Sequence, residues 1–301
     1  MDYIIVSGCN DSYILTMIDF IQKYFKSHLD FNNLIIYDYG LNENNLREII
    51  KYKTIHGFEV IHFDYSKYPE HLNLKKYNGL HCNYAFKPIS IYNTCIENPN
   101  KKIIWMDCAN RFNSATINNI LEILQNEFIY SPIVCRPGTI ESIELHHIDT
   151  IKYFKLEDDI NLIPQRAGGL VGIDNSSLHG KHIINEWCKC SLNKDIIAPN
   201  GSTRNNHRQD QSVLTILMYL YEKSNNVKFT NKIVNGISFH NKKDNITIDP
   251  IYNKYQIINL YTNIKESIIY CKTYEDAIDD YCVRKRINKE ILLKNYKIIK
   301  L

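Results

Sequence analysis

An apolar run ends in the stretch Trp105-Met106-Asp107-Cys108-Ala109-Asn110-Arg111-Phe112, which offers a carboxylate and, four residues on, a guanidinium. A carboxylate so delivered holds a divalent ion against a diphosphate, and the ion stabilises charge on a departing phosphate. Arg111 has two roles open to it: contact with phosphate, or fixing its own loop through a carboxylate. Further along, His207-Arg208-Gln209-Asp210-Gln211-Ser212 precedes a helical pattern. Asp210 and Gln211 fall in its first turn, where the helix dipole favours an acid, yet the run is more polar than capping requires. Ile237-Ser238-Phe239-His240-Asn241-Lys242-Lys243 sets a histidine just past a strand-like run. Its imidazole is a metal-ligand type and the lysines suit phosphate, although a lone loop histidine is more often solvated. Near the start, Ser7, Asn10, Asp11 and Tyr13 gather where a nucleotide would sit; a helix cap accounts equally well for Asn10 and Asp11.

These residues need a scaffold, and the first half of the chain supplies one in alternation. Tyr3 to Ser7 reads as a buried strand. Ile14, Leu15, Ile18, Ile21 and Phe25 make a helical stripe. Leu34 to Tyr37, Glu59 to Phe63 and Lys102 to Met106 read as further strands, ending at Asp38, Asp64 and Asp107. Leu46, Ile49 and Ile50 suggest a short helix, and Pro88 suits the opening of another. Strand and helix in this order imply an open, mostly parallel sheet flanked by helices, with ligands at the carboxyl ends of the strands. An acid at a strand end is often only a turn-former. The second half is less regular. A strand is expected within 126–136, another from Gly168-Gly169 to Ile173, and helices over 179–190 and 209–221. A late strand covers Ile237 to Phe239, and a helical, basic stretch runs from Tyr274 onward. The organisation expected is an α/β domain over residues 1–250 and a helical extension over 251–301.

Composition narrows the function. The net charge of +3 over 301 residues is too small for nucleic acid to be the main partner. Nine scattered cysteines without a Cys-x-x-Cys argue against a zinc site or a disulfide framework and for buried, reduced thiols. A Gly-x-Gly-x-x-Gly series and a P-loop are both lacking, which disfavours nicotinamide, flavin and P-loop nucleotide enzymes. The opening residues Met1 to Val6 read as a strand, and no apolar run is long enough to span a membrane, so a cytoplasmic location is expected.

Taken in order, Lys87-Pro88, Trp105 to Phe112, Ala167-Gly168-Gly169 and His207 to Ser212 resemble the GT-A glycosyltransferases. The likeness is closest to a poorly characterised glycosyltransferase-like group and more distant to the glycogenin-like retaining enzymes. It spans roughly Tyr3 to Lys243. The resemblance implies transfer of a sugar from a nucleotide-sugar donor to a glycan, protein or lipid acceptor. Ser7, Asn10 and Tyr13 would line base and ribose, Lys87 would meet ribose or phosphate, and Gly168 and Gly169 would admit sugar close to the backbone. Asp210 would face the reaction centre, with Gln211 beside it. Asp107 and His240 would hold Mn2+ or Mg2+, and Arg111 and Lys242 would contact the diphosphate. The sequence departs from the family at the fourth strand end, where Asp-x-Asp is expected and Asp107-Cys108-Ala109 stands. Two readings follow from that departure: a transferase whose leaving diphosphate is stabilised by Lys87, Arg111 and Lys242, or a degenerate site that binds sugar nucleotides without catalysis.

Overall fold

The structure is a computed structural model. It describes residues 2–72, 84–239, 253–262, 265–271, 274–285 and 287–300, so His240 and Lys242 lie outside the described residues. In chain order the first half comprises β1 (Tyr3–Cys9), α1 (Ile14–Lys26), β2 (Leu34–Asp38), α2 (Glu43–His56), β3 (Glu59–His62), α3 (Phe86–Glu97), β4 (Lys102–Met106), α4 (Ser114–Asn126), β5 (Ile129–Tyr130) and β6 (Ile133–Cys135). There follow α5 (Ile140–Glu144), α6 (Ile148–Tyr153), β7 (Gln165–Arg166), β8 (Leu170–Asp174), α7 (Leu178–Leu192), α8 (Lys194–Ile197) and α9 (Asp210–Asn225). The chain closes with β9 (Asn253–Asn259), β10 (Lys265–Cys271), α10 (Tyr274–Lys285), α11 (Lys289–Asn295) and β11 (Tyr296–Lys300).

Six strands form one sheet in the order β3-β2-β1-β4-β8-β5. β1, β2, β3 and β4 run parallel, and β8 is antiparallel to both β4 and β5. This is the open, mostly parallel, helix-flanked sheet expected from the alternation. Because side chains alternate along a strand, the sheet feeds two cores. Ile4, Val6, Ile103 and Trp105 pack with Ile89 of α3, Trp187 of α7 and Leu214 of α9 on one face. Ile5, Ile36, Ile104 and Met106 pack with Phe20 of α1, Tyr52 of α2 and Ile120 of α4 on the other. The helices start where local chemistry lets them. Asn42 caps α2 through the amide of Asn45 at 3.0 Å, and Gly57 ends it at φ 87°. Asn113 and Thr116 form a reciprocal capping box at α4.

Two expectations need correction. Ile237 to Phe239 is not a full strand; Ser238 makes an isolated antiparallel bridge with Arg111. The C-terminal segment is not helical throughout. β9, β10 and β11 make a three-stranded antiparallel sheet, order β10-β9-β11, beside α10 and α11. Its strands carry the isoleucine pairs Ile257-Ile258, Ile268-Ile269 and Ile298-Ile299, whose β-branched side chains favour extended backbone. Ile257, Ala277, Ile278, Tyr281 and Leu292 form a small core of their own there. Among the described residues no helix is long and apolar enough to cross a membrane.

Candidate active site

The parallel strands end at one edge of the sheet, and a cavity of about 430 Å³ opens there. β8 contributes to the same edge because it runs the other way: its start, not its end, meets the end of β4. Met106 pairs with Leu170, and the Asp107 amide donates to the Gly169 carbonyl at 2.9 Å. The glycine pair is thereby set against the acid. A Cβ at Gly169 would lie 2.7 Å from Asp107 Oδ2, and one at Gly168 would lie 2.9 Å from the Gln211 Cβ. At Gly168 the near atom is a Cβ that cannot swing aside, whereas a side chain at Gly169 would push the Asp107 carboxylate from its place. The strand leading into the pair is tied to α9 by Arg166, which donates to Glu222 Oε1 at 2.9 Å and to the Ser131 carbonyl at 2.7 Å.

Three charges meet at the base of the cavity. Lys87 Nζ lies 3.1 Å from Asp107 Oδ1 and 3.0 Å from Asp210 Oδ2, and it donates to the Gly168 carbonyl at 3.1 Å. Lys87 and Asp210 are buried, whereas the Asp107 side chain keeps 27% of its surface. Burial pulls the Lys87 ammonium toward neutrality, but Asp107 and then Asp210 outweigh it and hold its pKa above the ordinary lysine value. Burial pushes the Asp210 carboxyl up to about 6 against the pull of Lys87, with the Asp107 charge adding to the rise. Asp107 Oδ1 also accepts from the Trp105 indole at 2.7 Å, and the Trp187 indole fixes the Asp210 carbonyl at 2.9 Å. Lys87 Nζ sits 5.6 Å from the ring centres of both Tyr84 and Trp105, within cation–π range.

The backbone is forced where α3 and α9 lead into this cluster. Tyr84, just before α3, has φ 53°. Gln209, just before α9, has φ 44° and ψ −113°, a conformation that disfavours any side chain. Both residues line the cavity. Strain of this kind persists where surrounding structure fixes it, and it gathers at functional sites.

Of the residues singled out in the sequence, Asn10, Tyr13, Lys87, Asp107, Gly168, Gly169, Asp210 and Gln211 line the cavity. Gln211 is held there by donating to Gln165 Oε1 at 3.2 Å. Asn10 caps the short turn after β1 by accepting from the Ser12 amide at 3.1 Å. Two residues are turned elsewhere. Ser7 is fully buried in β1, on the face of Ile5, and does not reach the cavity. Arg111 pairs with Asp19 of α1 at 2.5 Å and donates to the carbonyls of Cys108 and Asn110, both at 2.9 Å. Of its two open roles, the geometry is that of fixing the loop through a carboxylate. Asp38 and Asp64 are turn-formers: Asp38 Oδ1 accepts from the amides of Gly40 and Leu41, and Asp64 from that of Ser66. The cavity also takes in Arg208 of the polar run before α9, and residues that sequence reasoning missed, among them Tyr39, Tyr84, Cys135, Glu141 and Arg204. Arg204 lies in a loop without periodicity; the density of polar residues ahead of α9 was the one signal for it.

No protein-family model and no curated protein matches the sequence. Among solved structures the fold is similar to the galactosyltransferase LgtC in complex with donor and acceptor sugar analogs, at 12% identity over 81% of this chain and 91% of that one, TM-score 0.46. It is also similar to mouse xyloside xylosyltransferase 1, at 11% identity over 83% of this chain and 100% of that one, TM-score 0.45. A third likeness is to core-mannan synthase A from Aspergillus fumigatus in its Mn/GDP form, at 8% identity over 72% of this chain and 69% of that one, TM-score 0.45. Each is a likeness of fold alone, and the case for function rests on the cavity itself.

Proposed function

We propose that the cavity binds a nucleotide-sugar and that the chain is a glycosyltransferase. The observation that carries this reading is the Lys87–Asp107–Asp210 cluster at the base of a cavity at the strand ends, walled by aromatic rings. The volume suits a ligand of that size. Tyr13, Tyr39 and Phe239 offer faces for a base, and Gly168 and Gly169 let a sugar ring lie against the backbone.

The charges suit the transfer. In this reaction the bond from sugar C1 to the diphosphate oxygen breaks, and its electron pair leaves with the phosphate. The acceptor oxygen bonds to C1 and loses its proton. Positive charge develops on the sugar as the bond loosens. Two carboxylates against one ammonium leave the cluster with one net negative charge in a water-poor site, where it stabilises that sugar most. Asp210 Oδ2, which faces the Lys87 ammonium at 3.0 Å, is the acceptor for a sugar hydroxyl or for the proton of the incoming alcohol. The acceptor is a glycan, protein or lipid. A cytoplasmic setting belongs to the same proposal, since the five thiols buried among the described residues suit a reducing compartment.

The expected Mn2+ or Mg2+ fits the described residues poorly. Ala109 stands where a second acid would be, and His240 is outside the described residues. Asp107 Oδ1 is already shared between an indole N–H and an ammonium. A divalent ion on Asp107 would be set close to the positive charge of Lys87. No step of the transfer is therefore assigned to a metal.

Ala109 also gives the degenerate-binder reading its one support. Thermal melting with UDP, GDP, ADP and TDP at millimolar concentration tests binding, and a bound nucleotide at 100 times its Kd adds about 2.7 kcal/mol of stability. Absence of protection by every nucleotide sinks the proposal. Protection without hydrolysis or transfer of any matching sugar nucleotide favours the binder.

A further inference from the structure

We propose that Arg204 and Arg208 hold the donor's diphosphate and do the work of a divalent metal ion, so that nucleotide binding needs no metal; this rests on the reading of the cavity as a nucleotide-sugar site. Among the described residues the cavity lining contains three cations: Lys87, Arg204 and Arg208. Lys87 is committed to two carboxylates. Among the described residues neither arginine makes an ion pair within 4.0 Å. Arg204 Cζ stands 5.5 Å from the centre of the Tyr84 ring, the same ring that Lys87 Nζ approaches to 5.6 Å. Arg204 is exposed, at the open side of the cavity, and the Tyr84 ring lies within cation–π range of both its guanidinium and the Lys87 ammonium. Arg208 lies two residues before Asp210, with its backbone amide anchored on the Leu145 carbonyl at 3.1 Å and Ser212 Oγ at 3.0 Å, which leaves its side chain on the cavity wall. Glu141 is the remaining acid of the described lining, and with Glu144 it shares a neighbouring surface pocket with both arginines without coming within 4.0 Å of either.

The charge count favours this arrangement. The diphosphate of a nucleotide-sugar carries two negative charges, and among the described residues the two guanidiniums have no carboxylate within 4.0 Å. Guanidinium forks match phosphate oxygens in pairs of hydrogen bonds. When the sugar C1–O bond breaks, the departing diphosphate gains a further charge. Fixed cations at that end and a net negative cluster at the sugar end lower the energy of the separated charges together. The two ends of the donor are thus served by two different charge groups of the same wall.

Calorimetric titration of the full chain with UDP and GDP, after exhaustive dialysis against EDTA and again with Mn2+, tests this without reference to turnover. The bound nucleotide is expected to keep its affinity in EDTA, with Mn2+ changing Kd by less than about threefold. Arg204→Gln and Arg208→Gln should each weaken nucleoside diphosphate binding on the order of tenfold. They should leave the melting temperature and the affinity for the bare nucleoside unchanged, while Arg47→Gln, on an exposed helix face, should change nothing. Binding lost in EDTA and restored by Mn2+, or arginine variants with wild-type affinity, would overturn the proposal. Failure of the wild-type chain to bind any nucleotide in either buffer removes the nucleotide-sugar reading itself, and this proposal with it.

Discussion

Asp210 holds its proton up to about pH 6 because burial outweighs the attraction of Lys87, against an ordinary value of about 3.9. If its carboxylate form serves the transfer, kcat/KM climbs between about pH 5 and 7 with a midpoint near 6, and Asp210→Asn removes that limb. The variant also loses on the order of 10²-fold or more in kcat/KM. Stability follows the opposite slope: the folded chain holds this proton more tightly than the unfolded one, so the contribution is full below about pH 4 and is lost as pH rises through 6. Urea melts of wild type and Asp210→Asn across this window measure the difference. Lys87→Met leaves the buried Asp210 carboxylate and the half-buried Asp107 without their cation and should cost about 3–5 kcal/mol in the same melts. Adding Asp107→Asn should recover part of that loss; no recovery would mean that the cluster is not coupled as its distances indicate. The roles of these residues were unequally legible. Asp107 announced itself as an acid at the end of an apolar run, and Asp210 as an acid opening a helix. That one buried lysine joins them was not legible: the resemblance gave Lys87 a contact with ribose or phosphate, and residue 87 is far from both acids along the chain.

At the scale of elements, what repeats with a short period was readable and what depends on distant pairing was not. β1, α1, β2, β3, β4 and α9 follow from runs and stripes that the sequence carries locally. The reversed direction of β8 does not, although it decides that Gly168 and Gly169 face Asp107 and not the far edge of the sheet. The C-terminal sheet was missed because paired isoleucines among lysines fit a helix face and a strand equally well by pattern. The start of α9 is the segment most constrained by its neighbours. Gln209 takes φ 44°, ψ −113° with no side-chain cap hydrogen bond. Gln209→Gly relieves that conformation and should raise stability by about 1 kcal/mol in thermal or urea melts. A lower melting point would show that the glutamine side chain contributes more packing than its backbone conformation costs.

The whole molecule carries its cavity in the six-stranded body, whereas the last three strands and two helices have an apolar core drawn from their own residues. A chain ending at residue 252 is therefore expected to melt cooperatively and to keep its nucleoside diphosphate affinity within about twofold. Loss of cooperative melting would make the C-terminal segment part of the body's own fold. The thiols divide in the same manner. Among the cysteines whose side chains are described, Cys135 and Cys282 are the two that keep partial exposure, the first on the cavity wall and the second in the C-terminal segment. Burial raises the pKa of both, most simply slowing alkylation at neutral pH. The protein thus carries a paired chemical reporter: a ligand in the cavity shields one sulfur from iodoacetamide while the other keeps the clock, and a mass spectrum of the two peptides reads occupancy before any substrate is known.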